Sequence, residues 1–216
     1  MSTSESRILL LSLEKKDYFD ELYERFLDTL ASKAQVQRAS KPAGALYYLS
    51  SNTPTAIIVT DPGITRPRHS AVLEKVISYA RHGGTVILAA HFTSFIGPDK
   101  LNEFFYCRWC LPWRYGEYHR TTVHLNQQAR LANKAGLPAS YSQKAIFLKN
   151  VPLDAALYLP TEDSVTESAA FVNTPIADLS LTPVVFAAVG EGSLGYVGDV
   201  NAEKGSDSVI LAMCGL

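Results

Sequence analysis

The sequence predicts an α/β domain in which a mostly parallel sheet is flanked by helices and the C-terminal half is elaborated. Three observations carry this reading. Continuous apolar runs of strand length recur at 7–13, 56–60 and 85–90, the pattern of strands covered on both faces. Segments with helical periodicity separate them. No internal repeat and no Ser/Gly-rich linker divides the chain, so 7–216 is expected to form one domain behind a polar tail at 1–6.

The first strand, RILLLSL, leads into a helix marked by Tyr18, Phe19, Leu22, Tyr23, Phe26, Leu27 and Leu30, with Asp17 near its start. A short strand is expected at 35–38 and a helix at 43–50, after Pro42. AIIVT, 56–60, is the second buried strand and exits at Asp61-Pro62-Gly63. Val72, Leu73, Val76, Ile77 and Ala80 define a helix that Gly83 and Gly84 end. The third strand, 85–90, exits at His91. Strand–helix alternation implies βαβ crossovers and parallel pairing. Ligands of such sheets bind beyond the carboxyl ends of the strands, where Asp61 and His91 both fall.

The second half differs in character. Residues 101–105 are expected to be helical, and CRWCLPWRYGEYHR, 107–120, to be aromatic-rich and irregular. Short strands are expected at 121–125, 145–148, 156–159, 184–189, 194–200 and 209–213, with loop over 161–182.

Composition narrows the function. The chain is 47% hydrophobic and 19% charged, with formal net charge −1, as in ordinary globular proteins. Its length buries enough surface for a core without staples. No run of five like charges exists, which argues against nucleic acid as partner. No apolar stretch approaches the roughly 20 residues of a membrane span, and MSTSESR lacks the build of a signal peptide. Three cysteines are too few for a disulfide framework. A reduced, cytoplasmic protein is expected.

Gly190-x-Gly192-x-x-Gly195 has the spacing of a dinucleotide fingerprint, but a strand follows it where a helix is required, so it is a hairpin turn. Cys107-x-x-Cys110 with His119 and His124 could be written as a zinc set. The eight-residue gap before His119 fits no common spacing, so the cysteines are taken as small hydrophobes among Phe104, Phe105, Trp109 and Trp113. No metal and no cofactor is expected. The stretch 113–122 offers rings beside Glu117, His119 and Arg120, which suits either a site that stacks a flat or sugar-like ligand or a polar cap over the sheet.

IIVTDPG at a strand end, the helix leading into YARHGGTVILAAH, KAIFLKNV followed by ALYLP, and PVVFAAVGEGSLGYVGDV together resemble the class I glutamine amidotransferase-like fold, a flavodoxin-like arrangement. Within it they resemble the trehalose-utilisation (ThuA-like) proteins. Amidotransferases of this fold carry a cysteine on the turn after the strand that here ends at Ala90, and a late histidine and glutamate two residues apart. Here His91 takes that place. All five histidines (His69, His82, His91, His119, His124) precede residue 125, so glutaminase chemistry is not expected. ThuA-like proteins are similar in placing a histidine after this strand, which implies a pocket residue at the elbow.

The expected function is binding, with hydrolysis or isomerisation as an option, of a small polar metabolite, sugar-like in class. His91 is the candidate catalytic residue. Asp61, His91, Thr93, His119, Arg120 and Asp199 are the expected polar ligand contacts, with Trp113 and Tyr118 as walls. The alternative is a non-catalytic interaction or assembly protein that uses the aromatic segment 104–120, self-association included.

Overall fold

Strands buried on both faces need apolar side chains at every position. β1 (Arg7–Leu11), β3 (Ala56–Val59) and β4 (Thr85–Leu88) supply them after the polar first residues of β1 and β4, while β2 (Gln35–Ala39) is a largely exposed edge. The computed structural model describes residues 6–170 and 172–216. Of the expected tail, residues 1–5 lie outside the described residues. Ser6 already joins the sheet, its carbonyl accepting from Gln35 N at 2.8 Å.

The remaining strands are β5 (Arg114–Leu125), β6 (Ser140–Lys149), β7 (Ala156–Leu159), β8 (Val184–Val189) and β9 (Gly192–Val197). They join the first four in one nine-stranded sheet of order β2-β1-β3-β4-β9-β8-β7-β5-β6. Pairings from β2 through β9 are parallel; those among β9, β8, β7, β5 and β6 are antiparallel. The α/β architecture with an elaborated second half is as the sequence predicts. The Gly190-Glu191 turn joins β8 to β9 as a hairpin, with Gly190 at φ +61°.

The antiparallel part curls until β6 meets the chain leaving β9. Ile146 N donates to Gly198 O at 2.9 Å and Val200 N to Lys144 O at 3.0 Å. This curl sets the residues after β9 directly beside β5 and β6.

Helices cover both faces. α3 (Pro42–Ser51) and α4 (Ser70–Arg81) pack on Leu9, Leu11, Ile57, Val59, Val86 and Leu88. α2 (Glu24–Lys33) and α7 (Lys204–Met213) pack on Ile8, Leu10, Ile58 and Ile87. α5 (His91–Phe95) and α6 (Pro98–Glu103) follow β4, and a π-helix, Phe104–Trp109, follows α6.

Four expectations are corrected. The helix expected from Tyr18 to Leu30 splits into α1 (Phe19–Leu22) and α2, because Tyr23 turns inward and packs on Phe19 with ring centroids 4.9 Å apart. The strand expected at 209–213 is the end of α7, where Val209, Ile210 and Met213 bury at helical spacing. A five-residue apolar run looks alike in either state. The segment 107–120 is regular, forming the π-helix and most of β5. Finally, Cys107 and Cys110 are exposed and unpaired, and the rings around them form the core without them.

The curl gives a stability prediction. A Cβ at Gly198 would overlap the Ile146 carbonyl oxygen, a backbone atom that cannot swing away. Gly198→Ala should cost about 1–3 kcal/mol in urea unfolding. Gly44→Ala in α3, where nothing lies within 4 Å of the new methyl, should instead be neutral or stabilising by about 0.5–1 kcal/mol. Equal stability of the two variants would contradict the pairing of β6 with the 198–200 segment.

Candidate functional site

The chain leaving β4 turns at Ala90, which has φ 59° and ψ −130°. A non-glycine residue in such a conformation costs of order 1–3 kcal/mol and persists only where its surroundings hold it. A strand-to-helix elbow of this kind presents whatever side chain its strained residue carries. Here that side chain is a methyl group, and His91 comes one residue later as the start of α5. The expectation that His91 occupies the elbow position is corrected accordingly.

His91 is 2% exposed and sits in a cage of rings met edge-on. Its centroid lies 5.2 Å from Tyr18, 5.2 Å from Phe19, 5.4 Å from Tyr23 and 4.9 Å from Phe95. Its Nδ1 is buried without a hydrogen-bond partner among the described residues. Burial, with the Lys16 ammonium nearby, pushes its pKa down to about 4. A general base works best with a pKa near the operating pH and within reach of substrate. The His91 pKa lies well below that range, and its ring contacts are those of a packing residue.

Asp61 is also committed locally. Its Oδ1 accepts from Gly63 N at 2.9 Å and Glu14 N at 3.0 Å, capping a 3-10 turn at Pro62–Thr65 and tying the exits of β1 and β3 together. Oδ2 is buried and unpartnered, and burial holds the carboxyl above its ordinary range. No hydrogen bond or ion pair joins it to His91; its electrostatic neighbours are Glu14 and His69. The two strand-end residues do not form a shared site.

The convergence lies on the β9 side of β4. A cavity of about 440 Å³ is bounded by Thr93, Ser94, Ile96 and Pro98 after the elbow, Tyr115 and Tyr118 on β5, Ile146 on β6, and Val200 and Asn201 after β9. The Lys144 ammonium stands over the Tyr118 ring, 5.3 Å from its centroid. Asp199 anchors the loop that forms one wall: Oδ1 accepts from Asn201 N at 2.8 Å and Oδ2 from Glu203 N at 2.7 Å. Burial raises its carboxyl pKa against these two amides. The Thr93 hydroxyl lies 3.0 Å from the carbonyls of both Ala90 and Asp199, which fixes the elbow to the loop. Ser94 Oγ and the Tyr23 hydroxyl are buried beside one another.

The other expected contacts sort clearly. Tyr118 lines the cavity. Arg120 lies on the same strand face, but its guanidinium is held by Glu203 at 2.5 Å and Ser142 at 3.1 Å. His119 points to the opposite face, its ring stacked 4.3 Å from Phe147 and its Nδ1 3.3 Å from Glu117. Burial lowers its pKa more than Glu117 raises it. Trp113 is not a wall at all: it is 1% exposed and packs on Phe105 at 5.1 Å. Sequence reasoning missed Ser94, Tyr115, Lys144 and Asn201. The first stands four residues after the elbow, and the last two residues after Asp199.

The lining thus combines two phenol rings, hydroxyls and an amide, with no imidazole, thiol or carboxylate among its residues. Among the described residues, no group of three or more His, Cys, Asp or Glu is placed to hold a metal ion. No described helix is long and apolar enough to cross a membrane.

No family model and no curated protein matches the sequence. Solved structures do match in fold. A ThuA-like protein of Parabacteroides merdae superposes with TM-score 0.58 at 11% identity over 99% of this chain and 89% of its own. A cytoplasmic protein of Salmonella typhimurium matches with TM-score 0.53 at 11% identity, over 96% and 97%. A β-galactosidase from Bacillus circulans sp. alkalophilus matches with TM-score 0.58 at 15% identity over 98% of this chain, which spans only 31% of that enzyme. The chain has the ThuA-like fold.

The His91 cage predicts a pH dependence. The folded pKa of about 4 lies below the ordinary 6.5, so the unfolded chain binds this proton more readily. The stability from keeping the ring neutral is complete above pH 6.5 and is lost as pH falls toward 4. His91→Phe keeps the ring contacts and should flatten that loss, measured by urea unfolding at pH 7, 5.5 and 4.5. Burial of His119 acts in the same direction, so the slope should shrink rather than vanish. An unchanged slope would show that His91 is accessible to protons in the native state.

Proposed function

We propose that the protein binds a small, neutral, sugar-like metabolite in the cavity between α5 and the β5–β6 ribbon, and does so without chemistry on it. The observation that carries the reading is the lining: aromatic faces at Tyr115 and Tyr118 beside the hydrogen-bonding groups of Thr93, Ser94 and Asn201. Polyhydroxylated ligands present alternating apolar faces and hydroxyl edges, and such a wall meets both. The likeness to a β-galactosidase accords with a sugar ligand, but glycoside hydrolysis needs a pair of carboxyl groups flanking the bond, and this lining supplies none. The unpaired, exposed Cys107 and Cys110 fit a reducing, cytoplasmic setting.

The interaction reading of 104–120 loses most of its support. Phe104, Phe105, Trp109 and Trp113 are core residues, and of the π-helix rings only Tyr106 faces outward.

The test is a panel of neutral mono- and disaccharides and polyols, followed by thermal stabilisation and titration calorimetry. Tyr118→Ala should weaken binding roughly tenfold, about 1.5 kcal/mol for a lost stacking face. Asn201→Ala should cost about 1 kcal/mol for a lost hydrogen bond, roughly fivefold. Turnover should be absent throughout. Indifference to the whole panel at millimolar concentration, or binding that ignores Tyr118→Ala, would defeat the proposal.

A further inference from the structure

A second cavity, of about 250 Å³, opens on the other side of the elbow, beyond the carboxyl ends of β3 and β4. Its floor is apolar, made by Leu73, Phe95 and Phe104, and its rim carries Arg66, Lys100 and Arg108 against one carboxylate, Glu103. Three cations on one small rim are conspicuous in a chain of formal net charge −1. A fourth, the Lys16 ammonium, stands 5.2 Å from the centroid of the Phe95 ring.

These cations are only partly neutralised. Glu14 is shared between two guanidiniums, Arg66 Nε at 3.2 Å and Arg68 Nη2 at 2.5 Å. Arg66 therefore keeps its outer N–H fork free of any hydrogen bond among the described residues. Lys100 pairs with Glu103 at 2.6 Å on the open surface, where such a pair is easily exchanged. Arg108 makes no hydrogen bond among the described residues and influences Glu103 only through space. Phe95 is 45% exposed, an apolar face left open in the middle of this charge.

We infer that this cavity is a binding site for a small organic phosphate monoester whose compact apolar body lies on Phe95, Leu73 and Phe104 while its dianion is held by Arg66, Lys100 and Arg108. Guanidinium forks match phosphate oxygens, and several converging cations favour a dianion over a monoanion. The inference is independent of the sugar-binding reading, because Ile96 is the only lining residue the two cavities share.

The experiment is calorimetric titration of the full-length protein with phenyl phosphate, benzoate and inorganic phosphate at low and moderate salt. Phenyl phosphate should bind saturably, more tightly than either comparator, and weaken as salt rises. Arg108→Gln and Lys100→Gln, both at exposed positions, should each weaken it roughly tenfold, while Lys33→Gln in α2 should not. Circular dichroism confirms that each variant is folded. Equal affinity for inorganic phosphate would show that the apolar floor is not used and would overturn the site. So would the absence of saturable phenyl phosphate binding at millimolar concentration, or affinity unchanged in both variants.

Discussion

Every chain that leaves a buried parallel strand must find acceptors for backbone amides that neither the sheet nor water satisfies. In this protein two buried aspartates meet that constraint, and the rest of the strand-end architecture follows from them. Asp61 takes the amide protons of Glu14 and Gly63, and Asp199 those of Asn201 and Glu203. The first fixes the β1 and β3 exits to each other. The second fixes the β9 exit to α7 and, through Thr93, to the elbow after β4. Gly63 is required for the first arrangement, since a Cβ there would crowd both Asp61 and Glu14.

This solution has an electrostatic cost. Both carboxylates are buried and are held by amides rather than by a cation, so burial pushes both pKa values up. Raised carboxyl pKa values favour the fold in acid and disfavour it as pH rises through them, the opposite of the His91 contribution. Asp207 differs in having Arg25 at 2.7 Å, which links α2 to α7 across the same end of the sheet. Behind Asp199, the Ser206 hydroxyl lies between the Asp199 carboxylate and the Tyr141 hydroxyl, which also meets the Gln143 amide.

What was legible in the sequence was whatever periodicity encodes. Buried strands announce themselves by unbroken apolar runs, which is why β1, β3 and β4 start where expected and end one or two residues early. Amphipathic helices announce their stripe, as in α4. The run VILAM failed because five apolar residues satisfy either period, and only the tertiary position of α7 decides. Segment 107–120 failed for another reason: a π-helix and a bulged strand have no sequence period of their own. The candidate site was legible only as a location. Thr93 and Asp199 stand at strand ends, where open sheets bind ligands, and Tyr118 was singled out by the aromatic stretch 113–122. Which end residues face a cavity, and which face a helix, depends on the curl of the antiparallel strands, a long-range property that local patterns do not carry.

The histidine at the end of β4 illustrates the same limit. Its place in the sequence, after a buried strand and before Thr and Ser, has the look of an active-site residue. The elbow confirms half of that inference: the strained turn is there, at Ala90, held by the Thr93 hydroxyl and the bond from Phe92 N to Ala89 O at 3.1 Å. But strain at a turn is useful to chemistry only when the strained residue bears a reactive group, and a methyl group has none. What the turn still does is aim the following five residues. Thr93 and Ser94 face one cavity, Phe95 faces the other, and Ile96 lines both. The geometry that in a nucleophile elbow would present one catalytic atom here partitions the carboxyl end of the sheet into two recesses of different chemistry, one neutral and aromatic, one cationic. A strained turn that carries only a methyl group acts through the backbone, by setting where the residues after it lie.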